Sequence, residues 1–138
     1  AMRTRPTRGG AAALEFYLTL PIFLTMFASV IDFGWLFYQQ SALDGAVHAA
    51  CRTGATEDPG TGDALMSHVQ AVTEDRIRTE MTRSSLECLS CVITVDDLYT
   101  IPARSLRCQV DNTFQPLIGV VPVSTLTARA IVRMEIQR

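Results

Sequence analysis

The chain has 138 residues, room for one small domain beside a membrane segment, and sets 12 basic residues against 14 acids for a formal charge of −2. Arg3, Arg5 and Arg8 precede the first apolar run; without them nine basic residues would face 14 acids, a charge of −5. A body that acidic has no basic stripe to neutralise phosphates, which excludes nucleic acid as its partner.

After Gly9-Gly10 the chain turns apolar and stays so to Ile31, with Glu15 as the one formal charge. The stretch approaches the roughly 20 residues that cross a bilayer. Arginines on its N-terminal side leave residues 1–10 in the cytoplasm and export the rest of the chain. Trp35, Phe37 and Tyr38 lie just past it, where amphipathic aromatics favour the headgroup layer. A removed secretory signal would have a shorter apolar core and a small-x-small site directly after it, so the span is expected to stay. A carboxylate within a span costs roughly 2.5–3.5 kcal/mol on insertion scales. The span offers Glu15 no Arg, Lys or His. Glu15 therefore either snorkels to the cytoplasmic edge or needs a cation from outside the span. Pro21 removes one helical hydrogen bond and predicts a kink or local unwinding. Asp32 closes the stretch, as a polar residue at the outer interface or, with Gly34 allowing close backbone approach, as part of a helix–helix contact.

Leu43, Ala46, Val47 and Ala50 continue one helical face to about Gly54, and residues 57–62 break the chain. Asp63 caps a second helix over 64–83, with Leu65, Met66, Val69, Val72, Ile77 and Met81 on a broad face and a Glu74–Arg78 pair on the wet side. From Leu86 the period becomes two. Leu89, Cys91, Ile93 and Val95 form one run; Leu106, Cys108 and Val110 form the next, after a turn at 96–103. Leu126, Ala128, Ala130, Val132, Met134 and Ile136 form a third. The expected fold is α+β: a long N-terminal, partly transmembrane helix, then a small domain with one helix packed on a three- or four-stranded antiparallel sheet. The parts run 1–10, 11–54 and 55–138. The apolar loop at 116–122, bracketed by prolines, reads as packing over the core, with a partner contact as the alternative.

Four cysteines come after the span, Cys51, Cys88, Cys91 and Cys108, an even number on the exported side that favours disulfides. Cys88 and Cys91 also have redox or zinc spacing. Yet no helix comes after them to depress a thiol pKa, and no second well-spaced pair completes a zinc site. In an extended strand their Cα atoms would lie about 10 Å apart, beyond the ~7 Å a disulfide reaches. Folding the second run back on the first sets Leu89 against Val110, Cys91 against Cys108 and Ile93 against Leu106. The expected bridges are thus Cys91–Cys108 and Cys51–Cys88, the latter pinning the long helix to the sheet. His48 and His68 lie on helices without a Ser/Asp constellation, and no Gly-rich loop comes after a strand. The chain is expected to have no catalytic residues, metal or cofactor, and to be an enzyme's substrate.

The three arginines, Gly9-Gly10 and Glu15, at the fifth position after Gly10, resemble a class III prepilin-type signal. Glu15-Phe16, Pro21, Ile31-Asp32-Phe33-Gly34, Tyr38, Ala46 and Arg52 keep the order and spacing of the TadE-like family, minor pilins of the tight-adherence (Flp-type) pilus. The resemblance covers residues 10–52; Ser29 and His48-Ala49 depart from the family pattern. It implies a pseudopilin cut between Gly10 and Ala11 by a prepilin peptidase, with Glu15 pairing with the new amino terminus during assembly. The implied partners are a second minor pilin of related type, the major pilin and the inner-membrane assembly platform. The implied location is a single pass through the inner membrane with the C-terminal domain in the periplasm or outside, with either incorporation into the pilus or only its priming to follow. Two other classes stand beside it: an uncleaved membrane-anchored binding or adhesion module, and a thiol oxidoreductase using Cys88 and Cys91.

Overall fold

Ala, Leu and other good helix formers fill the first third of the chain, and in the computed structural model they form one helix, α1 (Gly9–Thr56). The structure describes residues 9–56, 63–88, 90–100, 103–120, 122 and 125–134. The basic residues Arg3, Arg5 and Arg8, the break at 57–62, Leu89, Ile136 and the side chains of Asp63 and Leu65 lie outside the described residues. After α1 come α2 (Asp63–Arg83), β1 (Val92–Thr100), β2 (Ala103–Thr113) and β3 (Thr125–Arg133). Two compact units result: Ala1–Trp35 with Pro116–Pro122, and Leu36–Gln115 with Val123–Arg138.

In the larger unit the strands form an antiparallel sheet in the order β1-β2-β3. Val95, Cys108 and Ala130 lie in one cross-strand row, and Ile93, Val110 and Ala128 in the next, so one face collects the apolar side chains. Leu43, Val47, Ala50 and Cys51 of α1 and Val69, Ile77 and Met81 of α2 are buried with them. Burying each large aliphatic side chain contributes about 1.5–3 kcal/mol. Thr73 interrupts the apolar stripe of α2, but its hydroxyl donates to Val69 O at 2.6 Å and needs no further partner. Gln40 Nε2 donates to Thr127 O (3.1 Å) and Gln70 Nε2 to Val95 O (3.0 Å), tying each helix to a strand.

Helix α2 ends in a Schellman turn. Leu86 N donates to Met81 O (2.9 Å) and Ser85 N to Thr82 O (3.0 Å), with Ser85 in the left-handed region at φ 56°. Its ion pairs are Arg76–Glu80 (3.4 Å) and Arg83–Glu80 (3.2 Å), in place of the expected Glu74–Arg78.

Four expectations need correction. The first strand begins at Val92, after Cys91, and Ile93 faces Val110 where Leu89 was expected to; Val95 faces Cys108 in place of Cys91. The strand runs on through Asp96 and Asp97 to Thr100, which pairs with Ala103, so residues 96–100 and 103 belong to strands and not to a turn. The two acids do not end the strand because each has compensation. Asp96 faces Arg107 across the ladder, and Asp97 Oδ2 meets Arg104 Nη2 at 2.8 Å. The bridges obey this register: they are Cys51–Cys108 and Cys88–Cys91, with Cα separations of 5.9 and 5.1 Å, and not Cys91–Cys108 and Cys51–Cys88. Cys88 and Cys91 precede the strand, and their Cα atoms, 5.1 Å apart, are within a disulfide's reach. Next, α1 is unbroken through Pro21, so of the expected kink or local unwinding the unwinding does not occur. Finally, the loop Pro116–Pro122 groups with the first 35 residues, and its Leu117, Ile118 and Val120 are exposed where packing was expected.

Candidate functional site

The smaller unit carries the features expected to function. Gly10 and Ala11 occupy the first turn of α1, exposed, and Glu15 lies exposed one turn further. No described cation meets the Glu15 carboxylate. Beyond it Phe16, Tyr17, Leu18, Ile22, Phe23, Leu24, Met26, Phe27, Val30 and Ile31 are all exposed, so this part of the helix presents apolar side chains on every side. The helix is long and apolar enough to cross a membrane once. Its internal hydroxyls are satisfied within the helix: Thr19 Oγ1 donates to Glu15 O (3.0 Å), Thr25 Oγ1 to Ile22 O (2.8 Å) and Ser29 Oγ to Thr25 O (2.8 Å). At about 1.5 Å per residue, Glu15 and Asp32 stand roughly 26 Å apart along the axis, close to the thickness of a hydrocarbon core.

Asp32 is not the exposed polar residue expected at the end of the span. It is fully buried, and its carboxylate accepts two backbone hydrogen bonds from the apolar loop, Ile118 N to Oδ1 at 2.8 Å and Val120 N to Oδ2 at 2.7 Å. Charge-assisted bonds of this length are among the stronger ones, and they offset part of the cost of burying an ionised group. Gly119 between the two donors has φ 89°, a conformation that brings both flanking N–H groups to one carboxylate and that a side chain would strain. Sequence reasoning missed this pairing because its two halves are 86 and 88 residues apart. The signals available were a lone acid closing an apolar stretch and a glycine inside a proline-bracketed apolar loop. Among the described residues Gly34 makes no close approach, since an added Cβ would meet nothing within 4 Å.

In the larger unit, Cys51–Cys108 joins α1 to the middle strand. Cys88–Cys91 closes the short link between α2 and β1, with Arg78 Nη1 at 3.6 Å from Cys88 Sγ. A strand comes after Cys91, so the helix dipole that activates thiols in redox motifs is not behind it. His48 and His68 are exposed on their helices.

An N-terminal helix that is apolar all round, joined to a disulfide-linked α+β domain, is compatible with single-pass membrane anchoring. Residues 10–52, about a third of the chain, match the family model of TadE-like proteins, and over that segment the chain is similar to that family. No curated protein and no solved structure matches the chain.

Proposed function

We propose that the chain is a minor pilin (pseudopilin), cut between Gly10 and Ala11 by a prepilin peptidase and taking part in assembly of a tight-adherence type IV pilus. The observation that carries this reading is the TadE-like segment, which starts at residue 10, beside the proposed cut, and holds Glu15 on an exposed apolar helix. The chain acts as a peptidase substrate and a structural subunit, not as a catalyst. Hydrolysis after Gly10 frees an α-amine on Ala11, the kind of cation that Glu15 lacks among the described residues. The helix lies in lipid before assembly and against other helices afterwards. Lipid is already apolar, so the gain in apolar burial is small, and polar pairs such as Glu15 with an amino terminus set the register. The partners in this scheme are a second minor pilin, the major pilin and the inner-membrane platform, with the C-terminal domain in the periplasm or outside.

Intact mass of the protein extracted from membranes of cells with an active prepilin peptidase tests the reading. The expected chain begins at Ala11 and carries two disulfides. Gly10→Ala should be cut and Gly10→Leu should not, because a pocket fitted to a small residue rejects bulk. Recovery of wild-type protein uncut at Gly10 would favour the uncleaved membrane-anchored module instead.

A further inference from the structure

We propose that the loop Pro116–Pro122 is a second membrane contact: Asp32 holds it at the end of the apolar span, and Leu117, Ile118 and Val120 enter the interfacial layer of the bilayer. The loop and the apolar part of α1 belong to the same compact unit. Leu117, Ile118 and Val120 are 62%, 51% and 43% exposed, and no charged residue occurs between Pro116 and Pro122. On the helix, Ile31 and Phe33, either side of Asp32, are also exposed. Apolar side chains from two separate segments therefore reach the surface at one level, the level at which the uncharged stretch of α1 ends.

Backbone chemistry favours lipid as the occupant. A loop that approaches hydrocarbon must have its N–H groups satisfied by the protein, because no water is there to do so. Pro116 and Pro122 carry no N–H, and the Asp32 carboxylate takes those of Ile118 and Val120. The clamp also explains a buried acid at this position: the carboxylate is turned onto the loop, away from lipid. Amphipathic segments that lie in the interface bury their apolar side by about 5–10 Å into the headgroup–acyl boundary, a depth these three side chains can reach. The inference rests on α1 crossing the membrane, but on neither cleavage nor pilus assembly.

The full chain in phosphatidylcholine–phosphatidylglycerol vesicles tests it, with Trp35→Phe as the background and Leu117→Trp as a fluorescent reporter. Lipids brominated near the headgroup or near the chain ends serve as quenchers. The expected result is a blue-shifted emission, quenched more strongly by the shallow label than by the deep one. Adding Asp32→Ala should return the emission to that of a solvated indole, while peptide mapping still finds Cys51–Cys108. A solvent-like, unquenched reporter with Asp32 intact overturns the proposal without any need for the Asp32 variant. A blue shift with no lipid quenching also overturns it, in favour of a protein surface. Equal quenching with and without Asp32 overturns the clamp. In the same background, Phe23→Trp reports on the span itself. If that indole is also unquenched, the failure lies in the membrane reading of α1.

Discussion

Two aspartates show how differently one side chain is held in the two units. Asp32 is buried and bound to backbone N–H groups, whereas Asp111 lies on the outer face of the sheet among side chains. Thr127, its cross-strand partner, donates its hydroxyl to Asp111 Oδ1 at 2.6 Å, and Gln109 Nε2 donates to Oδ2 at 3.0 Å. The Thr127 bond first, then the Gln109 bond, with a smaller pull from Arg129, hold the Asp111 carboxyl below its ordinary 3.8, against slight desolvation. A folded-state pKa below the unfolded one means that the unfolded chain binds protons more readily. The stabilisation is therefore complete above the unfolded value and disappears as pH falls through the folded one. Thr127→Val should lower the denaturant midpoint at neutral pH, and the gap from wild type should close as pH falls through the lowered folded-state value. Equal midpoints at neutral pH would show that the bond adds nothing measurable. Neither aspartate's role was legible in the sequence, because both depend on which distant segment lies opposite.

Elements were far more legible than their pairings. Helical spacing from Leu43 to Ala50 and alternation in the three strands predict which side chains face the core, and Leu43, Val47, Leu106, Val110 and Ala128 are buried. Register is another matter. Moving β1 by four residues against β2 keeps every side chain on its face, so alternation cannot separate the expected pairing from the observed one. The disulfide pairing is hidden for the same reason, since it depends on register and on where β1 begins. The contact between α1 and α2 was equally hidden: a Cβ on Gly54 would overlap Thr73 Oγ1 and come within 3.2 Å of Leu106 Cδ2. Gly54→Ala should therefore destabilise the fold by about 1–3 kcal/mol, as overpacking does, despite the better helix propensity of alanine. Thermal denaturation in detergent would measure it, and an unchanged or raised midpoint would mean that the helices separate at no cost. The C-cap of α2 predicts the opposite sign. Ser85 occupies a left-handed conformation that disfavours L-residues by roughly 1–2 kcal/mol, so Ser85→Gly should gain about 0.5–1 kcal/mol after its own entropy cost. A loss on that substitution would mean that the Ser85 side chain contributes more than its backbone costs.

At the scale of the whole molecule, the apolar stretch lies between two carboxylates that have different fates. Asp32 finds its partners within the chain, whereas no described cation meets Glu15. If Glu15 serves assembly, its counter-charge comes from another subunit's amino terminus, and the two acids separate by experiment. Glu15→Gln removes a charge from the span and should leave membrane insertion intact or improved, relieving up to roughly 2.5–3.5 kcal/mol. The same change removes half of an ion pair that would otherwise fix register between helices surrounded by apolar contacts of nearly equal energy. Crosslinking to the second minor pilin, and piliation with it, should therefore fall while the protein remains in the membrane fraction. Membrane level and crosslinking yield must be read on the same samples, since a variant lost from the membrane would also fail to crosslink. If Glu15→Gln inserts, crosslinks and supports piliation like the wild type, then Glu15 only snorkels to the aqueous edge, and the register of the assembled helices is set elsewhere.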